Sequence, residues 1–432
     1  MKTMHLTNCW HSDSGGISTF YRELLHQAEA ERRPIRLVVP GATDGVEPHG
    51  NYGRIYRVRG PSSPLSPGYR VITPAAYLLP GGRLREILAE ERPDLIECCD
   101  KYTMNYLAGL LRRGWFGIRD YRPAVVGLTC ERMDDNVAGY LSGGRAARAF
   151  CRWYMQWLYF PLFDHHIAVS RQTAGELHQA SFGHRKRRGV WIRPMGADCR
   201  MFTPSRRSAS LRRWLEVRSG AQEGATLLLY AGRLAPEKNL DLLIETMRLL
   251  EQRHAGEFHL LIAGEGALRR HLEGLCSREF PGAVDFLGHI RDREALADTY
   301  ANCDALLHPN PREPFGIAPL EAMASGLPVI APNSGGVTSY AHAGNALLVE
   351  PNGESFAGAA VALRGEAGLT SSLRHAGRAT AERFDWPAVA SSFFALYEDI
   401  YTTVRGEREE PDLAPAFYSS YPGMRRRLGW ES

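Results

Sequence analysis

The chain has 432 residues, a length that favours two domains over one hydrophobic core. Its hydrophobic fraction of 44% and charged fraction of 23% exclude a disordered or fibrous chain. The formal net charge of +4 is too small to indicate nucleic acid as the main partner, although 184–188 and 425–427 are local basic runs.

The amino-terminal residues contain no apolar run of signal-peptide length, and no stretch reaches the ~20 apolar residues that span a bilayer. We therefore expect a cytoplasmic protein. None of the eight cysteines forms a Cys-x-x-Cys pair or stands at zinc-finger spacing from a histidine. This pattern predicts reduced thiols, with neither a disulfide framework nor a metal site.

Short apolar runs alternate with helical patterns in the first half of the chain. A first strand precedes Gly15-Gly16 and a helix over 17–28, a second helix is predicted over 83–91, and further strands are predicted at 36–39, 94–97, 124–128 and 166–170. Ser170 is a suitable N-cap for the helix that follows it. Strands that alternate with helices need crossover connections, which predicts an α/β fold with a mostly parallel sheet.

A segment rich in Ser, Arg and Gly at about 204–224 interrupts this alternation. The alternation then resumes, with strands predicted at 226–231, 258–263, 284–287, 305–308 and 328–331. An amphipathic helix is predicted over 386–401, followed by a mobile charged tail. We predict a Rossmann-like domain over 1–203, a second one over 204–384, a crossover helix over 385–403 and a tail over 404–432.

The glycine pair Gly15-Gly16 lies between the first strand and its helix. Paired glycines let backbone N–H groups approach an anion, and a helix N-terminus adds partial positive charge. A turn without a ligand explains the pair equally well. The Gly-x-Gly-x-x-Gly spacing of dinucleotide-binding proteins is absent.

Two cations follow the strand at 226–231, on the connection to the next helix. Arg233 and Lys238 are expected at the carboxyl end of that strand, where open α/β sheets bind ligands. Two cations on such a turn can bind a diphosphate and neutralise it as it leaves. The alternative is a pair of surface charges, one of them paired with Glu237.

Two glutamates, Glu313 and Glu321, lie eight positions apart in the segment 313–328. Pro314 and Gly316 place Glu313 on a loop, whereas Glu321 falls within the following helix. Even on a single helix, eight residues would hold the two carboxylates ~12 Å apart. That exceeds the ~5–9.5 Å used in glycoside hydrolysis, so one glutamate for each end of a nucleotide sugar fits better.

Together and in this order, these segments resemble the family 4 retaining glycosyltransferases of the GT-B fold, over residues from about 5 to 400. The segments that carry the resemblance are 15–16, 168–170, 194–198, 233–238, 263–266, 286–288, 313–321 and 332–336. The resemblance implies two Rossmann-like domains that face each other across a cleft, with the C-terminal helix returning to the N-terminal domain. It assigns acceptor binding to the first domain and nucleotide-sugar binding to the second.

The resemblance also implies a set of site residues. Arg233 and Lys238 would hold the donor diphosphate, and Glu313 would contact the sugar, which makes these three the predicted catalytic residues. Glu321 would bind the ribose hydroxyls. Further donor contacts are expected from Gly15, Gly16, Gly264, Glu265, Phe315, Gly316 and Ile317. The family implies retention at the anomeric carbon, no cofactor and no required metal, with the departing phosphate oxygen deprotonating the acceptor.

One position departs from the family pattern. The first domain looks most similar to mannosyltransferases that act on phosphatidylinositol mannosides, and Cys130 stands where that branch has histidine. A thiol cannot reproduce the paired donor and acceptor of imidazole. Either Glu131, Arg132 or Asp134 supports the sugar instead, or the activity is altered. Asp100, after the strand at 94–97, and Cys130 itself are further candidate sugar or acceptor contacts. Cys130 also fits a small buried position, and Asp100-Lys101 a salt-bridged surface.

Residues 149–163 are unusually aromatic and are followed by the basic run at 184–188 and by Trp191. Aromatic side chains beside Lys and Arg suit an anionic membrane surface and a lipid acceptor. A core helix followed by a solvated loop produces the same pattern. Hydrophobicity alone does not separate the two.

The sequence therefore predicts a retaining glycosyltransferase that moves a sugar from a nucleotide-diphosphate donor, GDP-mannose or a UDP-sugar, to a lipid-linked or cell-envelope glycan. It would work in the cytoplasm, peripherally on the inner face of the membrane. Two alternatives remain open: a donor-binding or regulatory subunit with altered catalysis, suggested by Cys130, and a GT-B-like sugar-nucleotide epimerase. The Arg233/Lys238 turn and the two glutamates argue against the epimerase.

Overall fold

The fold is described from a computed structural model, which describes residues 1–10, 15–63, 69–140, 144–182 and 189–409. The chain divides into two compact units. Unit 1 comprises residues 1–194 together with the chain from 387 onward, and unit 2 comprises residues 195–386. Each unit is built on one sheet.

Unit 1 contains an eight-stranded sheet with helices in the connections. Its strands are β1 Thr3–Thr7, β2 Ile35–Gly41, β3 Gly45–His49, β4 Gly53–Arg59, β5 Leu95–Cys99, β6 Ala124–Thr129, β7 His165–Ala168 and β8 Val190–Ile192. Its helices up to residue 181 are α1 Gly16–Ala30, α2 Ala75–Leu78, α3 Arg83–Glu91, α4 Asn105–Arg112, α5 Met133–Tyr140, α6 Arg145–Tyr154 and α7 Arg171–Ser181. A π-helical turn, Met155–Tyr159, continues α6.

The strand order of unit 1 is β3-β4-β2-β1-β5-β6-β7-β8. All neighbours are parallel except β3, which pairs antiparallel with β4 at the edge. Strands β1, β2, β5, β6 and β7 are buried along their whole length, as expected for a parallel sheet with both faces covered. Strand order reverses between β1 and β5, which therefore form the switch point of this sheet.

Unit 2 contains a six-stranded, fully parallel sheet. Its strands are β9 Thr226–Ala231, β10 Phe258–Ala263, β11 Val284–Gly288, β12 Ala305–Leu307, β13 Val329–Pro332 and β14 Leu347–Val349. Its helices are α8 Ala209–Ser219, α9 Asp241–Arg253, α10 Arg269–Glu279, α11 Arg293–Asn302, α12 Ile317–Ala324, α13 Gly353–Gly365 and α14 Ala367–Glu382. The order β11-β10-β9-β12-β13-β14 is that of a dinucleotide-binding Rossmann sheet, with its switch point between β9 and β12.

The last helix, α15 Trp386–Glu409, returns the chain to unit 1. The ring of Phe393 lies 4.8 Å from that of Phe20 on α1, and the Tyr397 hydroxyl donates a hydrogen bond to the fully buried Glu97 on β5. The other oxygen of Glu97 accepts from Tyr21, at 2.9 Å. The predicted α/β fold and the return of the C-terminal helix to the N-terminal domain are therefore confirmed.

The division between the units differs from the predicted boundary at 203/204. Residues 195–203 belong to unit 2 because their backbone is bonded to its C-terminal segment. Ala197 pairs with Asp385 as a β-bridge, and the Arg378 guanidinium donates to the carbonyls of Cys199 and Phe202 at 3.1 and 2.9 Å. The helix predicted to end at 403 continues to 409, so the predicted tail begins later. Residues 410–432 lie outside the described part of the chain.

Candidate active site

Lys238 and Glu313 meet at the switch point of unit 2, where the loops after β9 and β12 are neighbours. The Lys238 ammonium donates to Glu313 Oε2 at 2.8 Å, and the Asn310 side-chain amide donates to the same oxygen at 3.0 Å. Both charged side chains keep partial access to solvent, at 19% and 15% exposure. The ion pair is therefore held in place but can still exchange partners.

The electrostatics of Glu313 depend on these neighbours. Burial raises the pKa of its carboxyl, but the attraction of Lys238 and the two hydrogen bonds outweigh burial and lower it to about 2. Glu313 is consequently ionised at any physiological pH. A ligand that attracts Lys238 away would leave this carboxylate free to accept hydrogen bonds from a polyol.

Arg233 lies on the same connection, five residues before Lys238. Its guanidinium is 56% exposed and contacts Glu237 Oε1 at 2.9 Å, the pairing that the surface-charge alternative predicts. The backbone beneath it is fixed, since the Tyr230 hydroxyl donates to the Arg233 carbonyl at 2.9 Å. An exposed ion pair of this kind contributes little stability and is easily exchanged for a phosphate.

The loops after β9 and β10 approach each other so closely that only glycine fits at two positions. A Cβ on Gly264 would lie 1.9 Å from the Gly232 carbonyl oxygen, and a Cβ on Gly266 would lie 2.3 Å from the Leu234 oxygen. The Leu234 amide donates to the Glu265 carbonyl at 2.8 Å. The predicted donor residues Gly264 and Glu265 thus pack against the turn that carries Arg233.

Helix α12 begins beside Glu313. Gly316 has a φ of 92°, a conformation that a side chain would strain, and it turns the chain into the helix at Ile317. Phe315 is buried, and the Tyr340 hydroxyl donates to the Gly316 carbonyl. The first backbone N–H groups of α12 therefore lie next to the Lys238–Glu313 pair, which suits an anion.

Glu321 lies one turn further along α12, away from Glu313. Burial raises its pKa to about 7; Arg293 opposes this shift, and Asp198 adds to it. Burial and the carboxyl together raise the pKa of Tyr300, which is fully buried on α11. The two glutamates therefore differ in environment, one kept ionised by a lysine and one on the border of protonation.

His308 was not foreseen from the sequence. It is the first residue after β12, is only 7% exposed, and its Nε2 lies 3.9 Å from Glu313 Oε2 without a hydrogen-bond partner. Burial lowers its pKa to about 4, so the imidazole is neutral. His308 ends the strand predicted at 305–308 and precedes Glu313 by five residues. That position at the carboxyl end of a strand is the signal that could have identified it.

At the switch point of unit 1, Gly15 is exposed and Gly16 begins α1. Asp100, the first residue after β5, is occupied by its own turn. Its carboxylate accepts from the backbone amides of Tyr102, Thr103 and Met104 at 2.7–3.0 Å, and from the Asn8 side chain at 3.1 Å. Asp100 therefore holds the turn that follows β5.

The loop after β6 is held by a buried ion pair. Lys101 donates to Glu176 Oε2 at 2.7 Å and to the Glu131 carbonyl at 2.6 Å, while Glu176 Oε1 accepts from the Met133 amide at 2.7 Å. Lys101 and Glu176 are 4% and 7% exposed. The backbone of the predicted sugar-contact loop is thus tied from two sides, and Glu176 was missed because it lies on α7.

Where that loop meets α5, the side chains of Arg132 and Asp134 form an ion pair. The guanidinium of Arg132 donates to both carboxylate oxygens of Asp134, at 2.9 and 2.6 Å. Cys130 is half-buried, and its Sγ lies 3.8 Å from the Sγ of the buried Cys99. All eight cysteines are free thiols.

Metal-binding clusters and membrane-spanning helices are both absent from the described residues. These residues contain no group of three or more His, Cys, Asp or Glu side chains that could hold a metal ion. Within the same ranges, no helix has both the length and the apolar character needed to cross a membrane. The basic runs at 184–188 and 425–427, both predicted from the sequence, lie outside the described residues.

Comparison with known proteins identifies a family model for each half of the chain. The model of glycosyltransferase family 4 matches residues 14–218, and that of glycosyl transferases group 1 matches residues 214–364. A GDP-mannose-dependent alpha-(1-6)-phosphatidylinositol dimannoside mannosyltransferase of Mycobacterium tuberculosis is 30% identical over 91% of this chain and 95% of its own length. The chain belongs to the family 4 glycosyltransferases. Its activity is therefore that of a glycosyltransferase.

Two other similarities are more distant. A GDP-mannose-dependent alpha-mannosyltransferase of Corynebacterium glutamicum is 27% identical over 78% of this chain and 73% of its own length. The sucrose-phosphate synthase of Thermosynechococcus elongatus superposes with a TM-score of 0.73 at 21% identity, over 93% of this chain and 100% of that protein. At this identity the superposition establishes the GT-B fold alone.

Proposed function

We propose that this enzyme transfers mannose from GDP-mannose, with retention of anomeric configuration, to a lipid-linked glycan. The observation that carries the donor part is the exchangeable Lys238–Glu313 ion pair at the switch point of unit 2, beside the N-terminus of α12. A diphosphate would attract the lysine, and the glutamate released by this exchange would accept hydrogen bonds from the sugar hydroxyls.

In this proposal, Arg233 and Lys238 bind the two phosphates, supported by the first N–H groups of α12. Their charge stabilises the phosphate as it leaves, the step in which negative charge develops. Two protein cations supply the charge that a metal ion provides in other transferases, so we propose transfer without a metal or cofactor. Glu321 and Glu313 would then bind the ribose and the transferred sugar.

The proposed chemistry is a same-face substitution. The bond between the anomeric carbon and the phosphate oxygen breaks, and the acceptor oxygen bonds to that carbon from the same side. The acceptor proton passes to the departing phosphate oxygen, which balances the step. The proposed mechanism therefore requires no side chain as a base. The residues of unit 2 contribute by positioning and charge.

The choice of sugar rests on similarity. Two relatives carry names that specify GDP-mannose, and one of them covers most of this chain. That relative's acceptor is a phosphatidylinositol dimannoside, which supports a glycolipid acceptor here. We accordingly place the reaction at the inner face of the cytoplasmic membrane. A UDP-sugar is the competing donor.

The first test is thermal stability of the purified protein with GDP, UDP, ADP and their sugars. A ligand that binds only the folded state, at 100 times its dissociation constant, adds ~2.7 kcal/mol of stability. Stabilisation by GDP alone supports the proposed donor, and stabilisation by UDP alone would replace it. Transfer of labelled mannose into membrane lipids then tests the acceptor, and the same assay with EDTA tests whether a metal is needed. The coupling constant of the anomeric carbon and its proton, measured by NMR on the product, tests retention.

Two alternatives predict different results. A subunit that binds the donor without catalysis, the reading suggested by Cys130, would be stabilised by a nucleotide yet transfer nothing to any lipid extract. Release of an altered sugar without acceptor would instead support an epimerase.

A further inference from the structure

An exposed aromatic face runs along α6 and its π-helical continuation in unit 1. Phe150, Trp153 and Trp157 are 54%, 49% and 57% exposed and recur at positions i, i+3 and i+7. Phe182, at the end of α7, is 82% exposed. Its carbonyl accepts from the Gln156 side chain at 2.8 Å, so it lies beside the same face.

The opposite side of these turns is firmly packed. Cys151, Met155 and Tyr159 are buried in the core of unit 1. The Tyr154 hydroxyl donates to the Lys101 carbonyl at 2.6 Å and accepts from Asn105 at 3.0 Å. The helix therefore has a buried side of its own, and its aromatic side is surplus to the needs of folding. Large apolar side chains held out in this way mark interaction surfaces.

The charged side chains of these turns all have one sign. Arg145, Arg148 and Arg152 are exposed on the same turns, and residues 144–163 include no Asp or Glu. The first acidic residue afterwards, Asp164, is bound to Arg112 at 2.8 Å and to the Val125 amide at 3.0 Å. An aromatic stripe and an arginine stripe on the exposed side of one helix, without carboxylates on its turns, match the boundary of an anionic bilayer.

We infer that this face, defined by Phe150, Trp153, Trp157, Phe182 and the three arginines, rests on an anionic lipid bilayer. The aromatic rings would enter the headgroup region, and the guanidinium groups would bind lipid phosphates. The bilayer is favoured over a protein partner because the exposed side of the helix carries an aromatic stripe and, about 140° around its axis, a basic stripe. Residues 144–163 lack the acidic groups that a polar interface rim combines with such residues.

The helix that carries this face is bonded through its buried side to the candidate acceptor region of the same unit. The Tyr154 hydroxyl lies 3.2 Å from that of Tyr106 on α4, and the exposed Tyr102 belongs to the turn that Asp100 organises after β5. A glycolipid whose chains stay in the bilayer would present its head group at this turn. This step rests on the proposed lipid acceptor, whereas bilayer binding itself does not.

Vesicle binding tests the inference on the full-length protein. Flotation with vesicles of 70% phosphatidylcholine and 30% phosphatidylglycerol should recover the wild-type protein at low salt, and recovery should fall as salt screens the arginines. Vesicles of phosphatidylcholine alone should bind it at least tenfold more weakly. Failure to bind the anionic vesicles would overturn the inference, whatever the enzyme transfers.

Two variants separate the parts of the surface. Trp153→Ser/Trp157→Ser should weaken binding at least tenfold at every salt concentration, and Arg145→Gln/Arg152→Gln should remove mainly the salt-sensitive part. The matched controls are Trp115→Ser and Trp214→Ser, which replace tryptophans that are 71% and 55% exposed elsewhere. Equal binding by control and surface variants would contradict the assignment.

Two further measurements separate bilayer binding from self-association and from donor binding. Sedimentation velocity of the wild type and the tryptophan variant shows whether the face joins two copies of the protein. A wild-type dimer that the substitutions abolish would overturn the inference that this face binds a bilayer. Stabilisation by nucleotide should be unchanged in all surface variants, since they lie outside the donor site. Vesicle binding with no transfer activity would retain this inference and reject the proposed function.

Discussion

The two units share a strand order around their switch points but use the charged residues there differently. In unit 2, Lys238 and Glu313 come from different loops and neutralise each other at a partly solvated position. In unit 1, the carboxylate of Asp100 already accepts hydrogen bonds from backbone amides of its own turn. The ammonium of Lys101 is buried in an ion pair with Glu176. The same topology thus supports an exchangeable ion pair in one unit and a fixed framework in the other.

The difference teaches how to interpret polar residues after parallel strands. Their location predicts nearness to a ligand, but their role depends on what already binds them. The charges of unit 2 can change partners when an anion arrives. Those of unit 1 hold loop backbone, so ligand contacts there would come from the loops that they position.

The largest effect on activity is expected at the Lys238–Glu313 ion pair of unit 2. Lys238→Met removes a cation from the proposed diphosphate site and should lower kcat by about 1,000-fold, roughly 4 kcal/mol of transition-state stabilisation. Arg270→Met, an exposed cation on α10 of the same unit, should leave kcat unchanged. Steady-state transfer kinetics measure both. Full activity of the Lys238 variant would remove the donor-site assignment.

The next effect should appear in unit 1 as lost stability. Lys101→Met leaves Glu176 buried without its cation and should lower the free energy of unfolding by about 3 kcal/mol. Lys101→Met/Glu176→Gln removes both charges, keeps an acceptor for the Met133 amide and should regain most of that loss. Urea denaturation of the two variants and of Glu176→Gln completes a double-mutant cycle. A single variant as stable as wild type would show that the pair does not hold the loop.

A pH effect should distinguish the two glutamates of unit 2. The folded-state pKa of Glu321 is raised to about 7 from 4.5. Its contribution to stability is therefore fully present below about pH 4.5 and is lost as pH rises through 7. Between pH 5 and pH 8, wild type should lose about 2 kcal/mol of unfolding free energy relative to Glu321→Gln. If the difference in unfolding free energy between the two proteins does not change with pH, Glu321 does not ionise in this range.

The smallest effect is expected at Cys130. Its thiol touches the thiol of Cys99 and is half-buried, which fits a packing role. Cys130→Ser should change kcat/KM by less than about threefold, and Cys130→His should also leave the protein folded. A loss of 100-fold or more in the serine variant would show that the thiol takes part in binding or catalysis.

The sequence predicted the parallel strands well because fully buried strands appear as unbroken apolar runs, as in Ala124–Thr129 and Thr226–Ala231. It did not predict β3, β4, β8 or β14. The residues of β3, Gly45–His49, are largely exposed and include Glu47 and Pro48. The units were divided nine residues too late because backbone bonds to Asp385 and Arg378 leave no local pattern.

For the candidate site, the motif located Lys238 and Glu313, and their contact follows from the strand order, which the sequence alone does not state. Glu176 and His308 were missed for another reason. The role of each depends on its burial and on a charged partner, Lys101 for Glu176 and Glu313 for His308. The sequence around a single Glu or His shows neither its burial nor its partner.

The return of α15 has a consequence for synthesis. Unit 2 is one continuous stretch that is complete once residue 386 has been made, whereas unit 1 lacks part of its core until the buried residues of α15, up to Val404, have been made. Until then, Phe20 is uncovered and one oxygen of Glu97 lacks its tyrosine. The first unit to be translated is therefore the last to be completed, and a chain that stops before α15 would present an unfinished amino-terminal unit to chaperones and proteases.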